Sequence, residues 1–382
     1  MRLRCAGAVR GLFMGGTLLT VTATAAEAQV RWRDLVVTLG TSVESYNGNF
    51  AAVSVPIVDS TATGVTEQAV AAVGELGLRG ALSVLNGRQR SLEVSFDGGL
   101  RQAAAFGFSR MDYAPREWVG SATGNYTQMM GNWGSLLLQG RVRGRSVQNR
   151  APMPLFMQPG YVSAQGMVGM VTRSMDGVSL DARIDAETAD YAAAGYLPQV
   201  NLLDRRSLGL EAGVRWGGAS TLRFSGGFRW TQYRNQSSFD PEDPFRRDQT
   251  ARVGLEWSYS GPVFLQVGAD GTLNRSNSIR PEYDAVSVRA LLTAPLPNQF
   301  SLNLYALLTA KSYVQETDLT RLVPGEEASN ASLAYLQVGR PLASNLDAAL
   351  RLGWTRAETD FGSTYYRRFG ASAQFNYRPK GF

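Results

Sequence analysis

The chain has 382 residues, of which 44% are apolar and 18% charged, with a formal net charge of +6 and no histidine. The missing histidine removes the usual general base, triad partner and nitrogen metal ligand from any catalytic or metal-centre reading. Beyond the first residues no stretch approaches the roughly 20 apolar residues of a membrane helix, and the basic side chains alternate along the chain instead of clustering as a nucleic-acid patch.

The chain opens with Arg2, Arg4 and Arg10, an apolar run from Leu12 to Val21, and then Ala26-Glu27-Ala28. This order predicts a secretory leader over 1–28, cleaved before Gln29. Gly15, Gly16 and Thr17 break the apolar run, which is too short to span a bilayer as a helix. The single cysteine, Cys5, lies in this leader, so no disulfide or thiolate metal site is expected in 29–382. Those residues read as one domain.

Residues 29–382 divide into segments in which apolar and polar side chains alternate with period two, the pattern of strands wetted on one face. The first seven are predicted over 34–46, 73–86, 90–106, 116–130, 135–147, 161–173 and 178–191. Tight turns are expected at Asn86-Gly87, Gly131-Asn132 and Asp176-Gly177. The Asn-Gly pair favours the φ > 0 conformation of a two-residue hairpin. The next eight are predicted over 206–216, 221–235, 248–260, 263–278, 284–295, 299–314, 331–340 and 346–360, and one more strand closes the chain. Their short connections are GGAS, Gly261-Pro262, LPNQ and a turn near Pro341. Long connections follow odd strands and short turns follow even ones. That rhythm predicts an all-β fold, a transmembrane antiparallel β-barrel of about 16 strands with both termini periplasmic.

Each strand then sorts its side chains onto two faces. In the fifth, Gln139, Arg141, Arg143 and Arg145 share the polar face. The seventh sets Asp181, Arg183, Asp185 and Glu187 opposite Leu180, Ala182 and Ile184. Glu211 and Arg215 oppose Leu208, Leu210 and Val214; Arg223 and Arg229 oppose Leu222, Phe224 and Phe228. Arg252 and Glu256 oppose Val253 and Leu255, and Asp347 and Arg351 oppose Leu350 and Leu352. These polar residues are the expected lumen lining. Trp216, Trp230, Trp257, Tyr259, Trp354 and Tyr377 fall toward strand ends on the apolar face, as interfacial aromatic girdles do.

The last strand, YYRRFGASAQFNYR over 365–378, carries the alternation furthest. Phe369, Ala371, Ala373, Phe375 and Tyr377 share one face, and Arg368, Gly370, Ser372, Gln374 and Asn376 the other. It resembles the C-terminal assembly signal of Gram-negative outer-membrane β-barrels, read here as Arg368, Gly370, Ala373, Phe375, Tyr377 and the terminal Phe382. Ala373 is smaller than that pattern prefers, and Pro379 takes Phe382 out of register. The resemblance implies a porin-like barrel in the outer membrane, inserted by the barrel assembly machinery and surrounded by outer-membrane lipids and lipopolysaccharide.

A barrel of this size encloses more space than its side chains fill. The leading expectation is a water-filled, charge-lined pore for passive passage of small polar or charged solutes. Against it stands the plainer expectation that each inward charge pairs with a neighbour across strands and stiffens the wall. Two alternatives differ in class: the outer-membrane exit of an exopolysaccharide export system, and a non-conducting structural or surface-binding barrel acting through its loops. The apolar, proline-rich connection over 151–160 fits a constriction or a contact surface. Asp240, Glu242 and Asp243 lie close together, but without the ligand spacing of a cation site. With no catalytic motif and only Lys311 and Lys380 as lysines, no enzyme, cofactor or metal is expected. Homo-oligomer formation stays open, because no strand shows a clear interface stripe.

Overall fold

The computed structural model describes residues 30–49, 66–106, 116–148, 160–191, 203–238, 241–278, 282–314, 332–358 and 365–379. The leader, the segment 151–159, Asp240 and Phe382 lie outside these residues, and the side chains at a few strand ends are not described.

Sixteen strands form one closed antiparallel barrel in chain order. They are β1 (Arg31–Asn49), β2 (Thr66–Asn86), β3 (Arg90–Phe106), β4 (Arg116–Met129), β5 (Gly134–Gln148), β6 (Tyr161–Thr172), β7 (Val178–Tyr191) and β8 (Arg205–Gly217). The second half comprises β9 (Ser220–Ser237), β10 (Phe245–Ser260), β11 (Phe264–Ser276), β12 (Tyr283–Pro295), β13 (Ser301–Tyr313), β14 (Ser332–Ala343), β15 (Leu346–Glu358) and β16 (Tyr365–Tyr377). Every strand pairs with its chain neighbours, and β1 closes on β16 through a register running from Val37↔Tyr377 to Gly48↔Tyr366. Closure leaves no free edge, which is how strands satisfy every backbone group inside a bilayer.

Connections after odd strands are long and those after even strands short, as the sequence rhythm predicts. Asp176 and Gly177 both take positive φ, 52° and 79°, and Met175 and Val178 exchange backbone hydrogen bonds around them. Asn86-Gly87 does not behave this way. Neither residue has positive φ, and the loop closes instead through Gly87 N–H donating to the Arg90 carbonyl at 2.9 Å. The LPNQ turn is a short 3-10 segment, Pro297–Gln299, in which Asn298 and Gln299 occupy the left-handed region at φ 59° and 64°.

Several predicted boundaries move. β2 begins at Thr66 instead of 73, because its start pairs with the extended end of β1 through Asn49↔Thr66 and Gly48↔Glu67. At 19 and 21 residues, β1 and β2 exceed the roughly 9–11 that cross a bilayer, so both project past it. β14 continues through Pro341, with a register shift between Pro341 and Ala343 that tolerates the missing N–H.

The register fixes the two faces. Leu39 stands opposite Leu76 and Phe375, and Val253 lies on the same outward face as Leu255 and Trp257. Leu39 and Val253 are each 57% exposed and Leu350 is 68% exposed, an apolar surface no soluble core covers. Charged residues occupy the other face. There Arg223 on β9 reaches Asp181 on β7 over the intervening β8, a span that requires the concave side, where side chains converge. From a strand spacing of ~4.8 Å and a tilt of ~40°, the backbone cylinder is about 30 Å across.

Candidate functional site: the inner wall

All sixteen expected lining positions fall on this concave face: Gln139, Arg141, Arg143 and Arg145 on β5, Asp181, Arg183, Asp185 and Glu187 on β7, Glu211 and Arg215 on β8, Arg223 and Arg229 on β9, Arg252 and Glu256 on β10, Asp347 and Arg351 on β15. Adjacent strands keep them in shared rows. Arg183 stands opposite Glu211, Asp185 opposite Gly209, and Gly209 opposite Arg229.

The charges interdigitate instead of dividing into a basic wall and an acidic wall. Arg223 holds Asp181 with Nη2–Oδ2 at 2.7 Å and Nε–Oδ1 at 3.2 Å, and also holds Glu211 at 3.0 Å. Glu211 in turn accepts from Arg183 at 2.6 Å. A second chain runs from Arg143 to Glu187 at 3.8 Å, from Glu187 to Arg229 at 3.9 Å and from Arg229 to Asp185 at 2.6 Å, joining β5, β7 and β9. On the next sector Arg289 bridges Glu256 at 2.8 Å and Asp270 at 2.9 Å. Arg101 on β3 pairs with Glu75 at 2.9 Å and also with Glu44. Arg101, Arg223, Arg229 and Arg289 each lie between two carboxylates, so the wall is braced circumferentially.

Three of these pairs cross a strand because its inward residue is glycine, Arg223–Asp181 doing so over Gly213. Arg229 and Asp185 meet over Gly209, where an added Cβ would lie 2.7 Å from Asp185 Oδ1 and 3.0 Å from Arg229 Nη2. Glu256 and Arg289 meet over Gly268, which is directly opposite both. Any side chain at these glycines would stand where the guanidinium passes.

Several inward arginines escape this pairing. Arg141, Arg215 and Arg252 make no ion pair among the described residues. Arg141 lies between Thr123 on β4 and Gln165 on β6, and its Nε is buried without a hydrogen-bond partner. Arg351 bonds not a carboxylate but the Gln337 amide oxygen, at 2.9 Å from Nε and 2.5 Å from Nη2. Asp347 sits at the short-turn rim and accepts from Arg378.

Sequence reasoning missed the neutral sector. Tyr305 on β13 and Tyr335 on β14 stand opposite each other with rings stacked at 5.5 Å and 26°. The Arg351 guanidinium lies 4.7 Å from the Tyr335 ring centre. Nearer the long loops, Lys311 lies against Tyr283 and Tyr313 at 4.0 and 4.5 Å. Their signal was present: these tyrosines occupy polar-phase positions of strands whose other phase is apolar. At the long-loop rim Arg246 is fully buried, holding Asp248 at 2.5 Å and Gln236 at 2.8 Å and lying 4.2 Å from the Tyr233 ring centre.

On the outer face Trp216, Trp257, Tyr259 and Tyr377 stand near the short turns, while Trp230 and Trp354 lie in the half nearer the long loops. Trp32 near the short turns and Trp118 near the long loops extend these bands and escaped the sequence reading. In β16, Arg368 and Gly370 face inward, and Phe375 and Tyr377 outward, with Phe375 paired to Leu39 and Ala348.

No protein-family model matches the chain, and no curated protein matches it. Solved structures similar to it include a bacterial polysaccharide outer membrane secretin, at 10% identity over 90% of this chain and 98% of that one, with a TM-score of 0.41. A loop-deletion form of OmpT, an outer membrane protein of Vibrio cholerae, shows 11% identity over 92% of this chain and 100% of that one, with a TM-score of 0.39. The P. putida toluene transporter TodX shows 8% identity over 92% and 91%, with a TM-score of 0.41. They place no residue and no substrate on this chain. Its own closed sheet, outward apolar band and inward charges carry the architectural conclusion: the chain is a 16-stranded outer-membrane β-barrel of the Gram-negative type.

Proposed function

We propose that the barrel is a pore for passive passage of small polar or charged solutes across the outer membrane. The observation that carries this reading is the solvent accessibility of the inner wall. Arg183 keeps 48% of its side-chain surface exposed and Arg289 35%, although both are ion-paired on the concave face. A lumen packed by its own side chains would desolvate such groups at a cost their pairs do not recover. Accessible charged groups along the wall are the polar path a solute needs. Arg141, Arg215 and Arg252, which make no ion pair among the described residues, bias that path toward anions. The surrounding partners are outer-membrane lipids and lipopolysaccharide at the aromatic bands, and the barrel assembly machinery at β16 during insertion.

The test is conductance of the purified protein in a planar bilayer, with reversal potential measured under a salt gradient. Discrete, salt-dependent steps with anion preference are expected. A folded, heat-modifiable barrel that inserts and never conducts would sink the pore reading and favour a surface-binding role for the loops.

A further inference from the structure

Glycines on the concave face differ in what lies over them. At Gly209, Gly213, Gly254 and Gly268 an added Cβ would come within 2.6–3.0 Å of a charged side chain. At Gly353 on β15 it would meet nothing within 4 Å, and among the described inward glycines Gly353 is the one with this open space. Its row explains why. Gly353 lies between Tyr335 on β14 and Gly370 on β16, and Gly370 faces Glu44 on β1. Gly353 therefore presents bare backbone to the lumen, while at Gly370 an added Cβ would already meet the Glu44 side chain, its Cγ at 3.4 Å.

The walls of this recess have a definite chemistry. Arg351, two residues before Gly353 on the same face, is fixed by its bonds to Gln337 and by the Tyr335 ring beneath it, which Tyr305 backs. A guanidinium has more N–H donors than those two bonds use. On the other side of the row Arg368 stands opposite Thr355 and donates to its hydroxyl at 3.4 Å. Glu44 lies against Gly370 and closes that side of the recess, and it is bound by Arg101, so its charge is offset. Two guanidinium groups that make no ion pair among the described residues thus stand on either side of the open position at Gly353.

The geometry points to this recess as a binding subsite for a small organic carboxylate with a hydroxylated body, of the size of one sugar acid. The carboxylate bonds Arg351, the body lies over Gly353, and Arg368 across the row, with the Thr355 hydroxyl and the Gln337 amide, supplies hydrogen bonds to hydroxyl groups. The inference deepens the pore reading, since a solute reaches the recess only through the lumen.

The experiment is calorimetric titration of the purified, detergent-held barrel with glucuronate, and with glucose as the same ring lacking the carboxylate. Saturable glucuronate binding is expected, with glucose weaker by about tenfold or more, the scale of losing a charge-assisted hydrogen bond. Arg351→Gln should weaken glucuronate by a similar factor and Arg351→Lys by less. Gly353→Leu, which fills the recess, should abolish binding. Gly353→Ala, which adds a methyl group in open space, serves if the larger variant does not fold, and should weaken binding measurably. Glucuronate binding that is absent, or unchanged in Arg351→Gln and Gly353→Ala, overturns the subsite. The readout does not use conductance: a barrel that conducts without binding loses the subsite and keeps the pore, and one that binds without conducting does the reverse.

Discussion

Arg229 Nη2 lies 2.6 Å from Asp185 Oδ2 although the two residues stand on β9 and β7 with β8 between them. The contact exists because Gly209, opposite both, offers no side chain. Asp185 is nearly buried and Arg229 is 36% exposed, so the pair is worth less than a dry one and more than a surface one.

Gly209→Val is expected to break this bridge and leave Asp185 without its nearest cation. The cost is about 1–3 kcal/mol, the penalty of leaving a desolvated polar group unpaired. Gly353→Ala, over which nothing lies, should cost far less. The midpoint of the heat-induced mobility shift of each variant compares them directly, and equal losses would show that the crossing pair contributes nothing.

Arg223 touches both Asp181 and Glu211, so their contributions should not add. In a cycle of Asp181→Asn, Glu211→Gln and the double variant, we expect a coupling of about 0.5–1.5 kcal/mol in urea unfolding from vesicles. Independent effects would mean that the three groups do not act as a unit.

Arg141 has no ion pair among the described residues, so its charge is presented to the lumen. Arg141→Gln should lower anion preference by roughly two- to tenfold with little effect on stability. Arg223→Gln, by contrast, should destabilise the barrel. Reversal potentials and unfolding midpoints of both variants decide this, and a large stability loss from Arg141→Gln would place that residue in the structural network instead.

Val253 lies midway along β10 on the outer face. Val253→Arg should cost about 2–4 kcal/mol of folding free energy in a bilayer, the depth-dependent penalty for a charge on the lipid side. Folding in vesicles measures it. A neutral result would mean that this face does not meet lipid.

Much of the fold was legible because lipid enforces a local rule. Any outward side chain in the apolar band must be apolar, so the alternation in Leu208-Leu210-Ala212-Val214-Trp216 appears without knowledge of a partner strand. Outside that band the rule lapses. The start of β2, TEQA, shows no such alternation and becomes strand only because β1 extends alongside it. Asn86-Gly87 carries a hairpin dipeptide, yet its three-residue connection selects another backbone geometry.

The candidate site divides along the same line. Which residues face inward follows from period two alone, and every expected lining residue lies on that face. Which of them pair does not follow, because Asp181 and Arg223 are 42 residues apart in the chain and meet only through the register of three strands. Gly209 and Gly353 look alike in sequence, both inward glycines among polar neighbours. Closure and register decide that an ion pair crosses the first and nothing covers the second. The sequence by itself determined the class of barrel and its two faces, because those depend on local alternation in two solvents. The tertiary structure alone decided where the inner wall is braced and where it is open, because that depends on which distant side chains the closed sheet brings within a few ångströms.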